Sequence, residues 1–302
     1  MLSKLQTCFF ESGIKAFLVG GFIRDSLLGK HSYDLDIVLD SRAKNYVPAI
    51  LKAFRLNVYF ELETDFIYKD DFLELSYFSR YEIVSIKAGG YSFDFVPMRC
   101  ELGYSNLRSP DKILFTKNLY LDALRRDFSI NAIYKSLKDS KFIDPFEGRK
   151  DLKEKRLKTV LDANFKLKED ALRILRALDF ALRFNLKLEK NLESALHTNY
   201  KLAATLSNFH KKRYLLKYLS SLLAKKKSAD TSLLKQALSL VYDFEKELDS
   251  IFKLKFIKLT NLVLEKDSLE VLLDKRLVEF EGLELSLKEI TNFIRELKAR
   301  PL

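Results

Sequence analysis

A chain of 302 residues, 47% hydrophobic and 31% charged, excludes an intrinsically disordered protein and predicts an N-terminal unit followed by a second body. Its 53 Lys and Arg outnumber 42 Asp and Glu, a net charge of +11, so polyanions are the expected partners, nucleic acid first among them. Cys8 and Cys100 form no CxxC pair, the three histidines lack zinc-ligand spacing, and no apolar run approaches the ~20 residues that span a bilayer. A structural zinc and a membrane association are not expected. Glu11 interrupts the apolar stretch a signal peptide would need, so the expected location is cytoplasmic. Nothing in the sequence implies a protein partner.

Leu2, Leu5, Phe9 and Phe10 recur at helical spacing up to Gly13 and predict a short amphipathic helix. The apolar run at 16–19 predicts a strand ending in Gly20-Gly21, and 22–28 a helix closed by Gly29. From Tyr33 to Leu39 acidic and apolar residues alternate, which places Asp34 and Asp36 on one face of a half-buried strand and Leu35 and Ile37 on the other. A helix is predicted near 47–54. After an aromatic-rich stretch, 83–87 and 91–96 flank Gly89-Gly90 as a hairpin, with Asp94 on the face opposite Phe93 and Phe95.

Beyond Pro97 the periodicity is largely helical, near 119–137, 168–184, 211–224, 233–252 and 283–298. The change of period predicts a domain boundary near residue 140 and an all-helical C-terminal half. Within 201–229 eight basic residues stand without an acidic one. We expect this segment, Lys211, Lys212 and Arg213 above all, to contact RNA phosphates.

Two carboxylates one residue apart on a strand, just after a glycine turn and helix, suit phosphoryl transfer. Both project together and can hold two magnesium ions about 3.5–4 Å apart. Asp34 and Asp36 are therefore the expected catalytic residues and metal ligands, with Asp94 a possible neighbour. Gly20 and Gly21 precede a helix N-terminus, where backbone N–H groups favour an anion, and Arg24 can add a charge-assisted contact to a triphosphate. Each pattern alone also has a plainer reading, as a polar strand face or a surface charge.

Together the motifs become specific. LVGGFIRDSLLG (18–29) followed by YDLDIV (33–38) resembles the first signature of the class II tRNA nucleotidyltransferase and bacterial poly(A) polymerase family. In that family's order, LRRDFSINAIY (124–134) resembles its ribose-recognition motif, DPFEGRKDL (144–152) its connecting motif, and EDALRILRALDFALRF (169–184) its base-recognition helix. The resemblance covers roughly 17–184 and implies an α+β fold, a polymerase-β-like nucleotidyltransferase head at 1–140 followed by an all-helical neck at 141–200 and a helical body and tail at 201–302.

It further implies that Asp34 and Asp36 bind two Mg2+ ions, that Gly20, Gly21 and Arg24 meet the triphosphate, and that Arg125, Arg126 and Asp127 surround the sugar. A carboxylate at Asp127 can accept a hydrogen bond from a ribose hydroxyl, directly or by holding a neighbouring arginine in place. Glu169, Asp170, Arg173 and Arg176 would bind the nucleotide on the base-recognition helix. An Asp acceptor beside an Arg donor complements the amino group and unprotonated ring nitrogen of cytosine and adenine. Uracil and guanine would leave polar groups unpaired at ~1–3 kcal/mol each. Without the motif, an i,i+4 ion pair worth ~0.2–0.5 kcal/mol would be the preferred account of Glu169 and Arg173. The chain departs from the family at Asp179, where arginine is common, and at Ala171, where proline is common.

The implied activity is addition of C and/or A nucleotides to the 3′ end of tRNA from CTP and ATP, with release of pyrophosphate. CC-only addition, A-only addition and poly(A) synthesis share the same motifs. An RNA-binding module with an inactive site is the reading from another class.

Overall fold

The computed structural model describes residues 1–207. They fall into two compact units, Met1–Ser105 with Pro110–Glu154, and Asn106–Ser109 with 155–207. The helices expected at 211–224, 233–252 and 283–298, and the cations Lys211, Lys212 and Arg213, lie outside the described residues.

The first unit is α+β. Helix α1 (Leu2–Glu11) buries Leu5, Cys8 and Phe9, the stripe its apolar spacing dictates. Strand β1 (Ala16–Val19), helix α2 (Gly21–Leu27), strand β2 (Asp34–Leu39) and helix α3 (Ala43–Phe54) follow. The aromatic-rich stretch then becomes a meander of β3 (Phe66–Lys69), β4 (Leu73–Phe78), β5 (Ile83–Ala88) and β6 (Tyr91–Pro97). Strands β7 (Arg99–Leu102) and β8 (Lys112–Phe115) form a separate ribbon, and α4 (Leu119–Leu124), β9 (Tyr134–Ser136), β10 (Phe142–Ile143) and α5 (Gly148–Lys153) complete the unit.

Eight strands form one mixed sheet in the order β10-β9-β1-β2-β6-β5-β4-β3, in which β2 and β6 run parallel and the other pairs antiparallel. Period-two alternation gives this sheet an apolar and a polar face at β2 and β6. Leu35 and Ile37 stand in register with Phe93 and Phe95. That face packs on the helices: the Phe95 ring meets Phe9 of α1 at 6.1 Å and Phe54 of α3 at 6.3 Å between centroids. The opposite face carries Asp34 and Asp36, but one residue pair further on it is covered as well. There Val38 joins Val19, Met98, Ala123 and Tyr134 in a second small core. The carboxylates thus stand at the rim of a buried region.

The helix expected at 119–137 is shorter, and this is a correction. Asn118 caps α4 by accepting from the backbone N–H groups of Tyr120 and Leu121, and the helix ends at Leu124. A short 3-10 turn, Ser129–Asn131, then leads into β9. Ile130, Ala132, Ile133 and Tyr134 are all fully buried. Burial on every side, rather than a stripe facing one core, removes the distinction between helical and extended spacing.

In the second unit β11 (Arg156–Leu157) pairs parallel with β12 (Lys187–Leu188). Helices α6 (Ala163–Glu169), α7 (Leu172–Arg183) and α8 (Lys190–Asn199) supply the rest, followed by a 3-10 turn, Tyr200–Thr205. Asn199 Nδ2 donates to Asn164 Oδ1 at 2.7 Å and joins α8 to α6. The single helix expected at 168–184 is interrupted: Asp170 is extended (φ −142, ψ 105) between α6 and α7. Its Oδ1 accepts from Leu172 N at 3.0 Å, which starts α7 afresh. No helix among the described residues is long and apolar enough to cross a membrane.

Candidate active site

The turn after β1 is built around Asp36. Val19 pairs with Asp36 across β1 and β2, so the next residue passes directly over the carboxylate. That residue is Gly20, with φ 72 and ψ −140, a conformation that L side chains rarely adopt. A β-carbon at Gly20 would stand 2.5 Å from Asp36 Oδ2. Backbone flexibility and close approach both require glycine here.

Asp34 is exposed and Asp36 half-buried, as the rim position dictates. The parallel pairing of β2 with β6 sets Asp94 in register beside Asp36, and Asp34 beside Ser92. Burial pushes the Asp36 carboxyl up; the Arg126 charge opposes this, and the neighbouring Asp94 and Asp34 charges add to it. Asp94 is also raised, chiefly by burial, against a hydrogen bond from the Ser85 hydroxyl. Like charges gathered at a partly desolvated rim are what a divalent cation relieves. Among the described residues no group of three or more His, Cys, Asp or Glu side chains closes into a metal cage.

Arg126 and, more weakly, Arg125 act on this rim electrostatically, their charges pulling the Asp36 carboxyl down. They are anchored by Asp122, which is completely buried. Its Oδ1 accepts from Arg125 Nε at 2.8 Å, and its Oδ2 from Tyr134 Oη at 2.8 Å and Arg126 Nη2 at 3.3 Å. Burial pushes the Asp122 carboxyl up, but the Arg125 and Arg126 charges and these hydrogen bonds outweigh it and hold the group at about 2. Arg126 Nε also donates to Tyr134 Oη at 2.8 Å.

Asp127 is 8% exposed, its Oδ1 accepting from Phe128 N at 2.8 Å and from Asn131 Nδ2 at 3.0 Å. Arg24 is buried too. Its Nη1 donates to Asn131 Oδ1 at 2.7 Å and its Nε to Asp25 Oδ1 at 2.8 Å. The structure therefore brings Gly20, Gly21, Arg24, Asp34, Asp36, Arg125, Arg126 and Asp127 into one unit. Arg24 is engaged beneath the turn by Asp25 and Asn131.

Within the second unit, Glu169 at the end of α6 makes ion pairs with Lys166 and Arg173. Arg173 Nη1 additionally donates to Lys166 O at 2.9 Å. Asp170 Oδ2 accepts from Arg108 Nη1 at 3.1 Å, and Ala171 N donates to Leu107 O at 2.9 Å. Arg176 stacks its guanidinium on Phe180, 5.0 Å from the ring centroid. Asp179 is 2% exposed; Arg183 Nη2 lies 3.1 Å from its Oδ2, a charge contact without hydrogen-bond alignment, and neither carboxylate oxygen is hydrogen-bonded.

Sequence reasoning missed Asp122, Asn131 and Arg108. Asp122 carried a usable signal, an acid three and four residues before two arginines. Asn131 stands four residues after its partner Asp127, but its link to Arg24 spans 107 residues, and Arg108 is 62 residues from Asp170, so neither long-range link carried a signal.

Residues 16–158 match the family described as the poly A polymerase head domain. The CCA-adding enzyme of Lactobacillus helveticus (strain DPC 4571) is 31% identical over 197 residues, 65% of this chain and 44% of that protein. The CCA-adding enzyme of Pediococcus pentosaceus (strain ATCC 25745 / CCUG 21536 / LMG 10740 / 183-1w) is 33% identical over 198 residues, again 65% and 44%. The chain thus spans about half the length of the curated relatives it matches. Among solved structures, the CCA-adding enzyme of Bacillus stearothermophilus in complex with CTP superposes with a TM-score of 0.66 at 20% identity, covering 99% of this chain and 68% of that one. A tRNA nucleotidyltransferase complexed with a primer tRNA and an incoming ATP analogue gives 0.59 at 21% identity, covering 97% and 83%. At such identities the likeness establishes the fold. Through residues 16–158, the chain is similar to the poly A polymerase head-domain family.

Proposed function

We propose that this protein is a template-independent nucleotidyltransferase that adds C and/or A to the 3′ end of tRNA from CTP and ATP, releasing pyrophosphate. One observation carries the reading: Asp34, Asp36 and Asp94 share a sheet face, with the Gly20 turn pressed against Asp36 and the charges of Arg126 and Arg125 acting on its carboxyl. Relatives named CCA-adding enzymes, and folds solved with CTP and with a primer tRNA, support the substrate class.

Asp34 and Asp36 would hold two magnesium ions, which when bound offset triphosphate charge and polarise the attacking and leaving oxygens. The Gly20-Gly21 backbone offers donors to phosphate oxygens without a side chain in the way. Arg125 and Arg126, held by Asp122, keep positive charge beside the carboxylates, and Asp127 orients toward the sugar. Asp170 and Arg173 read the base edge, with Glu169 fixing Arg173 and Arg176 as a further nucleotide contact. Positioning and charge neutralisation, rather than covalent chemistry on the protein, then carry catalysis. In this scheme 1–140 is catalytic, 141–200 selects the base, and 201–302, through Lys211, Lys212 and Arg213, holds the tRNA backbone. With tRNA as substrate we place the protein in the cytoplasm.

The test is incubation with magnesium and tRNAs ending before CCA, after C or after CC, supplying CTP and ATP separately and together, and sequencing of the products. Addition of C, C and A, lost in Asp34→Ala, is the expected result. Stopping after CC, adding A alone or making a long A tract selects a narrower activity of the same site. No incorporation with RNA binding intact overturns the catalytic reading in favour of an RNA-binding module.

A further inference from the structure

Asn131 is 5% exposed and commits both ends of its amide to charged neighbours. Its Nδ2 donates to Asp127 Oδ1 at 3.0 Å, and its Oδ1 accepts from Arg24 Nη1 at 2.7 Å. An amide has one donor end and one acceptor end, so this pair of partners fixes its orientation. Its backbone carbonyl accepts from Arg126 Nη1 at 3.3 Å. Arg24, in turn, belongs to the helix that follows the Gly20 turn, and its own N–H donates to Gly20 O at 3.1 Å. One neutral side chain therefore joins the turn at the carboxylate rim to the carboxylate of Asp127.

We propose that Asn131 is a positioning residue for sugar selection: by holding Asp127 against Arg24 it sets the preference for ribonucleotides over deoxyribonucleotides. The inference rests on the nucleotidyltransferase reading above. Ribose and deoxyribose differ by one hydroxyl, and a site discriminates between them strongly only if a polar group pairs with that hydroxyl and is left unpaired without it. Such a group has to be held in place beforehand, which is what a donor from Asn131, backed by a buried cation, does for Asp127. A residue present only to fill space would tolerate any change that preserves packing. Asn131→Asp preserves size and an acceptor for Arg24, and replaces the donor facing Asp127 with a like charge that repels it.

The experiment measures CTP and dCTP binding to the full chain by calorimetry, with magnesium and no RNA primer, for wild type, Asn131→Ala and Asn131→Asp. Wild type should bind CTP at least ~10-fold more tightly than dCTP. Both variants should reduce that ratio to within about twofold, through weaker CTP binding with dCTP little changed. In primer extension their KM for CTP should rise while kcat stays within about threefold. An undiminished ratio in either folded variant overturns the inference, as does parallel weakening of both nucleotides. If both variants fail to fold, Arg24→Lys tests the outer link: a reduced ratio supports the inference and an unchanged one overturns it. Wild-type protein that binds both nucleotides equally overturns this inference alone, whereas wild type that binds neither overturns the nucleotidyltransferase reading beneath it.

Discussion

Gly20 lies so close to Asp36 that a β-carbon on the glycine would stand 2.5 Å from Oδ2. Gly20→Ala must therefore either displace the carboxylate or move the turn, at a backbone angle that itself costs about 1–3 kcal/mol for a non-glycine residue. We expect the melting temperature to fall by a few degrees and nucleotide addition to fall by at least ~100-fold, because a misplacement near 1 Å has that effect on positioned chemistry. Calorimetry beside primer extension separates the two. Activity near wild type would mean that Asp36 does not need its present position.

Asp122 supports the site electrostatically. Its carboxyl is held at about 2 against the ordinary 3.8. A depressed carboxyl contributes stability that is complete above its unfolded value and disappears as pH falls through its folded value, here between about pH 4 and pH 2. The gap is equivalent to about 2 kcal/mol. Urea unfolding across that window should show a flatter pH dependence in Asp122→Asn than in wild type. At neutral pH the same variant should lose about 3 kcal/mol, since Arg126 and Arg125 lose the buried carboxylate that holds them, and Arg125 keeps Glu101 only at 3.7 Å. Parallel pH curves for the two proteins would refute the assignment.

Gly148 is pinned from both sides. Its N–H donates to Asp144 Oδ1 at 2.7 Å, and a β-carbon on it would meet Ser129 O at 2.2 Å and Ile133 Cγ1 at 2.8 Å. Because the nearest atom is backbone, it cannot swing aside as a flexible side chain would. Gly148→Ala should cost about 1–3 kcal/mol by overpacking and loosen the turn that carries Asn131. Differential scanning calorimetry checks it, and an unchanged transition would show that the turn yields freely.

Some of this was legible in sequence and some was not, for reasons of distance along the chain. Alternation from Tyr33 to Leu39 is enough to put Asp34 and Asp36 on one face, because side chains on a strand repeat every two residues. The register of Asp94 beside Asp36 is not legible that way. It depends on a parallel pairing between strands separated by α3 and a meander, and β3 and β4 of that meander read only as an aromatic-rich stretch. The FSINAIY run looked helical because all-round burial obscures period. The position of Arg24 after a glycine turn is visible in sequence, whereas its link to Asn131, 107 residues away, follows from no pattern.

Arg108 has the clearest separable effect. It lies 3.1 Å from Asp170, with its own side chain 43% exposed, so Arg108→Ala should change stability by no more than about 1 kcal/mol. Burial pushes the Asp170 carboxyl up, while the Arg108 and Arg173 charges pull it down. Removing Arg108 takes away the larger of those two opposing charges, so the carboxyl should rise further and stay protonated to higher pH. A protonated carboxyl presents an O–H where a charged one offers only acceptors, and the base-reading role requires the acceptor. The acid limb of kcat/KM for CTP should therefore move to higher pH in Arg108→Ala and return toward wild type in Arg108→Lys, which restores the charge without the fork. Discrimination against UTP should weaken along the same limb. If the alanine variant keeps the wild-type acid limb, Arg108 does not govern Asp170, and the base-reading role of Asp170 would have to stand on Arg173 alone.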